Sequence, residues 1–261
     1  MRWVRFEQAG GAGYGIVEGE AIQPVTGTPF GQWQRSGDRV ALASAKLLVP
    51  VVPATFYCCG MNYGDHIREQ AAKAGREPKL PTRPEVGYRA NNALVAHGEP
   101  IVIPADATEE VQYEGELVVV IGRRAKNLTR ENALSAVFGY TIGNDVSERT
   151  WQRSDCTFYR SKNTDTFKPM GPWIETEVEL DRLVTKVRLN GVQKIEFRTN
   201  HMLFGVVDFL VEMTRYITLE AGDVVWMGTE GAPRNLKHGD VCEIEITGIG
   251  ILRNPIVREG M

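Results

Sequence analysis

The chain has 261 residues, enough for one large domain or one domain with a small companion. Its 30 Lys and Arg nearly balance 33 Asp and Glu, leaving a formal charge of −3. No basic stripe appears, which argues against nucleic-acid and anionic-membrane partners. The four cysteines, Cys58, Cys59, Cys156 and Cys242, form no C-x-x-C pair, so neither a zinc knuckle nor a disulfide framework is expected. Buried free thiols in a reducing compartment fit better, and the start shows no long apolar run, so the cytoplasm is the expected location.

Short apolar runs and evenly scattered Gly and Pro predict a mainly β fold with a few short helices. Met1 to Val25 reads as two or three strands joined at Gly10-Gly11 and at Glu18-Gly19-Glu20. The polar stretch Thr26 to Ser44 joins this unit to the rest, and Pro50 and Pro53 mark a boundary. This predicts a small N-terminal β domain over 1–53 and a main domain over 54–261.

Thr55 to Cys59 reads as a buried strand and Asp65 to Ala74 as a helix. Gly75 to Pro84 carries three prolines and several charges, the composition of a loop. Leu117 to Ile121 is a continuous β-branched run, as in a strand covered on both faces. Thr129 to Leu134 resembles a helix start, with Thr129 as cap and Asn132 at the third position. Met202 to Arg215 has the spacing of an amphipathic helix. Strands follow at Asp223 to Gly228, Val241 to Ile246 and Gly250 to Asn254.

Three clusters carry chemistry. In Tyr113-Glu114-Gly115-Glu116-Leu117, alternation puts both glutamates on one face of a strand. Such a pair can be a solvated strand face, or two oxygen donors for a hard divalent cation that relieves their repulsion. Asp145 tilts this towards the cation, because it follows the apolar run Phe138 to Ile142, and an acid at the end of a buried strand needs a partner. Next come Arg149, Gln152 and Lys162. Arg149 and Gln152 share a helical face; Arg suits a carboxylate and Lys suits an enolate oxygen. As a surface charge cluster they would do nothing. Third, His66 and Glu69 lie three apart, so Glu69 can orient an imidazole that takes a proton from water. His97 and His238 each precede a glycine and read as structural turn residues.

Several motifs, taken together, resemble the fumarylacetoacetate hydrolase family over about residues 54–257. They are Gly60-Met-Asn-Tyr-Gly-Asp-His, Tyr113-Glu-Gly-Glu-Leu, Gly139-Tyr-Thr-Ile-Gly-Asn-Asp-Val-Ser, Asp165-Thr-Phe-Lys-Pro-Met-Gly-Pro-Trp, Leu219-Glu-Ala-Gly-Asp-Val-Val and Gly248-Ile-Gly-Ile-Leu-Arg-Asn-Pro, in the family's order. Residues 1–50 resemble the short N-terminal unit of many bacterial members, among them acylpyruvases and 2-hydroxyhepta-2,4-diene-1,7-dioate isomerases.

The resemblance implies a β-roll or sandwich core, usually in a homodimer. It implies that Glu114, Glu116 and Asp145 bind Mg²⁺ or Mn²⁺. His66 and Glu69 match a general-base pair on a lid, Lys162 matches the active-site lysine, and Arg149, Gln152, Thr229 and Tyr159 fall at substrate-contacting positions. The chain departs from the pattern at Glu148, at Glu230 and at Asn163-Thr164 after the lysine, which points to a different substrate pocket. The activity this implies is metal-dependent hydrolysis of a C–C bond in a small anionic β-diketo acid, such as an acylpyruvate, through a metal-bound enolate. Isomerisation or decarboxylation of a 2-hydroxymuconate-type or oxaloacetate-like oxo-acid would use the same site. A silent carboxylate-binding relative is the alternative outside enzymes.

Overall fold

The structure, a computed structural model, describes residues 1–261. It is mostly β, with four short helices: α1 (Gly64–Lys73), α2 (Arg149–Gln152), α3 (Tyr159–Asn163) and α4 (Val206–Tyr216). Two large sheets form the body. The 13-stranded sheet runs from the N-terminal strands through Arg2–Gln8, Lys168–Glu175, Val137–Asn144, Gly115–Ile121, Val224–Trp226 and Phe56–Cys59 to an edge at Val86–Tyr88. The 5-stranded sheet contains Ile101–Ile103, Gly250–Arg258, Val241–Ile246, Val184–Leu189 and Val192–Arg198.

The strand Gly115–Ile121 shows why the fold closes around it. All seven residues are buried. Leu117, Val119 and Ile121 face the larger core of 36 residues, which includes Phe209, Leu210 and Met213 of α4. Val118 and Val120 face the opposite way, into a second cluster with Met170 and Trp226. Period-two alternation thus serves two cores at once. Glu116 and, just before the strand, Glu114 share the register of Val118 and Val120. At Gly143 the ring of Trp226 lies so close that a Cβ would come within 2.5 Å of it, so only glycine admits the indole there.

The three N-terminal strands form at Arg2–Gln8, Gly11–Glu18 and Ala21–Gly27, with turns where the glycines predict them. Arg2 pairs with Glu175 and Trp3 with Ile174, so these strands extend the main sheet.

Two helix expectations change. Thr129 to Leu134 forms no α-helix, only a 3₁₀ turn at Ala133–Ala136. There the Thr129 N–H donates to Asn132 Oδ1 (2.8 Å), and the next residues are drawn into the strand Val137–Asn144. The second helix starts at Val206, not Met202, because Leu203 N–H is taken by the Asn62 carbonyl and Gly205 N–H donates to Asp208 Oδ2. His97 and His238 are structural, each accepting a backbone N–H through Nδ1. Three cysteines are buried, but Cys156 is exposed. No helix is long and apolar enough to cross a membrane.

A candidate acidic metal centre beside a cationic cavity

Glu114, Glu116 and Asp145 come together although Asp145 is far from the others in sequence. The hydrogen bonds that join the two chain segments explain this. Asp145 N–H donates to the Glu114 carbonyl (2.9 Å), and Glu114 N–H donates to Asn144 Oδ1 (2.9 Å). All three acids are buried, and one ligand oxygen from each lies within 4.8 Å of the other two.

Their environments differ. Arg149 Nη2 lies 2.7 Å from Glu114 Oε1, and Lys162 Nζ lies 2.6 Å from Glu114 Oε2. Burial works to raise this carboxyl, but Arg149 and Lys162 outweigh it and hold it at about 2. Asp145 is gripped by Arg89 through both oxygens (3.1 and 2.8 Å), by Lys162 at Oδ2 (2.8 Å) and by Lys168 at Oδ1 (2.8 Å). Burial again opposes, yet these cations hold it well below the ordinary range. Glu116 has no cationic side-chain partner; it accepts only the Gly228 N–H (2.8 Å). Burial, then repulsion from Asp145 and Glu114, pushes it up to about 8.

A divalent cation fits this set. Oxygens around one Mg²⁺ at about 2.1 Å are at most about 4.2 Å apart, so the three donors need only a small inward shift. Glu116 in particular is a buried carboxylate without a counter-ion, which a cation would supply.

Arg149 ties this centre to a cavity of about 960 Å³. Its Nη1 donates to Gln152 Oε1 (2.8 Å), and its Nε donates to Gln112 Oε1 (2.8 Å). Both partners and His66 line the cavity, as do Arg76 and Lys79, which form no ion pair. Because α2 is a single turn, Arg149 and Gln152 sit on one face as their spacing predicts.

His66 lies on α1, in the cavity wall. Its Nδ1 is buried without a hydrogen-bond partner. Burial lowers its pKa, partly offset by Glu114. Glu69 does not hold it: Glu69 Oε1 pairs with Lys73 (2.6 Å), one turn on. The ring rests on Gly231, where a Cβ would come within 2.6 Å of Nδ1. Thr229 is buried nearby, and its Oγ1 accepts from Gly231 N–H at 3.4 Å. Tyr159 opens α3 and is 73% exposed, and it and Glu69 are the two candidates left on the surface.

Two departures from the family pattern resolve differently. Glu148 is not a pocket acid; it is fully buried and caps α2, accepting from Trp151 N–H and Thr108 Oγ1. Glu230 is half-buried near Asp65 and Glu69, and burial raises its pKa. Arg89 and Lys168 were not among the expected site residues. The one available signal was Lys168 as a charge opening the apolar run Pro169 to Trp173; Arg89 stood beyond the loop Gly75 to Pro84, in a stretch assigned to no element.

The sequence matches the family Fumarylacetoacetate (FAA) hydrolase C-terminal over residues 55–257 and Rv2993c-like, N-terminal over residues 1–50. A solved structure of 2-hydroxyhepta-2,4-diene-1,7-dioate isomerase from Mycobacterium marinum is 35% identical, with a TM-score of 0.88 and full coverage of both chains. Oxaloacetate tautomerase YisK of Bacillus subtilis is 33% identical over 83% of this chain and 74% of its own length. Maleylpyruvate hydrolase from Sphingobium sp. SYK-6, solved in complex with manganese(II) ion and pyruvate, is 25% identical with a TM-score of 0.80, covering 99% of each chain. The chain belongs to the fumarylacetoacetate hydrolase family.

Proposed function

We propose that the chain is an isomerase or tautomerase of a small dicarboxylic oxo-acid, moving a proton between carbon and oxygen of an enolate. The observation that carries this is the Lys162 ammonium, held between Glu114 and Asp145 beside the uncompensated Glu116. An anionic oxygen arriving there meets a fixed positive charge in a dry site, where such stabilisation is largest. Glu114, Glu116 and Asp145 would hold Mg²⁺ or Mn²⁺, which when bound supplies Lewis-acid stabilisation of that oxygen.

The remaining roles belong to side chains of the cavity. Two of the five Arg149 N–H groups are left for a substrate carboxylate, with Gln152 beside them, and the buried Thr229 hydroxyl next to Gly231 is a further donor. Arg76 and Lys79, on either side of Glu77 in the cavity lining, add positive charge suited to a second carboxylate. His66, kept neutral by burial, is free to accept a proton and return it. Hydrolysis asks more of His66, because it must activate water, and the Glu69 contact that would orient it is not made. The names of the Mycobacterium marinum and Bacillus subtilis relatives support proton transfer on a dioate or diacid over C–C cleavage.

The test is product analysis by proton NMR with oxaloacetate, a 2-hydroxydienedioate and an acylpyruvate, each with Mg²⁺ or Mn²⁺. Accelerated keto–enol exchange or double-bond migration without chain cleavage is expected. Cleavage of the acylpyruvate into two acids, with the diacids untouched, would put the hydrolase in its place.

A further inference from the structure

Lys162 has a role in the proposed reaction, but Lys168 has none. Lys168 opens the strand Lys168–Glu175 and is completely buried. Its Nζ lies 2.8 Å from Asp145 Oδ1 and 2.9 Å from the carbonyl oxygens of Val146 and Phe167. An ammonium has three protons to donate, and these three oxygens take them all. Nothing is left for substrate.

Its charge still acts. Asp145 already meets Arg89, Lys162 and Lys168, and the centre as a whole sets four cationic side chains, counting Arg149, against three carboxylates. A divalent cation entering this centre shares Asp145 with three cations and is repelled by Lys168 at close range. A dianionic ligand reverses that balance.

We propose that Lys168 is a positioning residue and a fixed internal counter-ion of Asp145 that weakens the bare centre's hold on a divalent cation, so that cation and dianionic ligand bind cooperatively. This rests on Glu114, Glu116 and Asp145 being the cation's ligands. It goes beyond that assignment by giving a buried lysine outside the chemistry control over when the cation is retained.

Lys168→Gln removes the charge while keeping an amide N–H₂ for the two carbonyls. The full chain and this variant are titrated calorimetrically with Mn²⁺, alone and with saturating oxalate as the dianion. Lys168 Nζ lies 2.8 Å from an oxygen of the carboxylate the cation would share, where one charge is worth about ten-fold or more in affinity even with strong screening, so the variant is expected to bind Mn²⁺ about ten-fold tighter without oxalate. Oxalate should tighten Mn²⁺ binding less in the variant than in the wild type. A folded variant that binds Mn²⁺ no tighter than the wild type overturns the proposal. If Lys168→Gln does not fold, Lys168→Met, which also removes the charge, is titrated in its place and judged by the same outcomes. Absence of any Mn²⁺ binding by the wild type removes the ligand assignment itself, a different result from a variant without effect.

Discussion

The Nζ of Lys162 stands 2.6 Å from Glu114 Oε2 and 2.8 Å from Asp145 Oδ2, so one buried ammonium joins carboxylates lying 48 and 17 positions away. Lys162→Met strips the positive charge from the place where an enolate oxygen would collect. Turnover of the oxo-acid should fall by about 10²–10³-fold, the usual loss for one oxyanion donor. Lys162→Arg should not restore it, because a planar fork cannot reproduce a point charge between two oxygens. Steady-state rates with oxaloacetate, alongside thermal unfolding of each variant, check this.

His66 and Gly231 form a second contact with a sharp consequence. Gly231 has φ +117° and leaves room for the imidazole that a Cβ would invade. Gly231→Ala should displace His66, lower kcat by about ten-fold or more, and cost about 1–3 kcal/mol of stability through backbone strain. Made in a His66→Ala background, the same change should lower kcat no further. A further drop in that double variant would mean Gly231 acts on turnover by another route.

Arg76 and Lys79 line the cavity without ion-pair partners. Replacing both with alanine should raise KM for a dicarboxylic substrate by about ten-fold, roughly 1.4 kcal/mol of lost attraction. KM for a monocarboxylic oxo-acid, and kcat for either, should hardly move. Equal increases for both substrates would show a general effect on the cavity instead of recognition of a second carboxylate.

Glu116 makes the cation-free protein sensitive to alkali. Burial and its two acidic neighbours push its carboxyl up to about 8, whereas in the unfolded chain it titrates near 4.5. Between these values the folded state binds the extra proton, so stability falls as pH rises, by at most about 1.4 kcal/mol per pH unit. Glu114 and Asp145 are shifted down, so their contribution is lost only at acid pH, below this window. Burial lowers the pKa values of His66 and His97, which act in the opposite sense over the same range, so in a chelator the urea midpoint should drop from pH 5 to pH 8 relative to that of a Glu116→Gln variant. Excess Mg²⁺ or Mn²⁺ should flatten the trend, because the cation replaces the proton. A wild-type midpoint that does not drop relative to the Glu116→Gln variant in the chelator would contradict the environment described for Glu116.

Local pattern was legible where the chain's own periodicity dictates the outcome. The β-branched run ending at Ile121 had to be a doubly covered strand, and Glu114 and Glu116 had to share a side of it. The one-turn spacing of Arg149 and Gln152 was equally readable, and so were the turns at His97 and His238. Patterns failed where two chain segments compete for the same backbone. The Thr129 to Leu134 segment has a helix-start sequence, but the next strand belongs to the central sheet and leaves room only for a 3₁₀ turn. His66 and Glu69 were correctly spaced, yet Lys73 lies on the same helix and is a stronger partner for a carboxylate than a neutral imidazole.

The amino-acid order alone determined the strand-rich architecture, the shared side of Glu114 and Glu116 and the residues of α2, because side-chain alternation and helical spacing are properties of neighbours. Tertiary structure alone decided the charge balance. Arg89 reaches Asp145 across 56 positions, and Lys168 reaches it from another strand of the sheet. Glu116 is left without a cation although it stands two residues from a glutamate that has two. Electrostatic energy depends on distance in space and on exclusion of water, and neither is written along the chain.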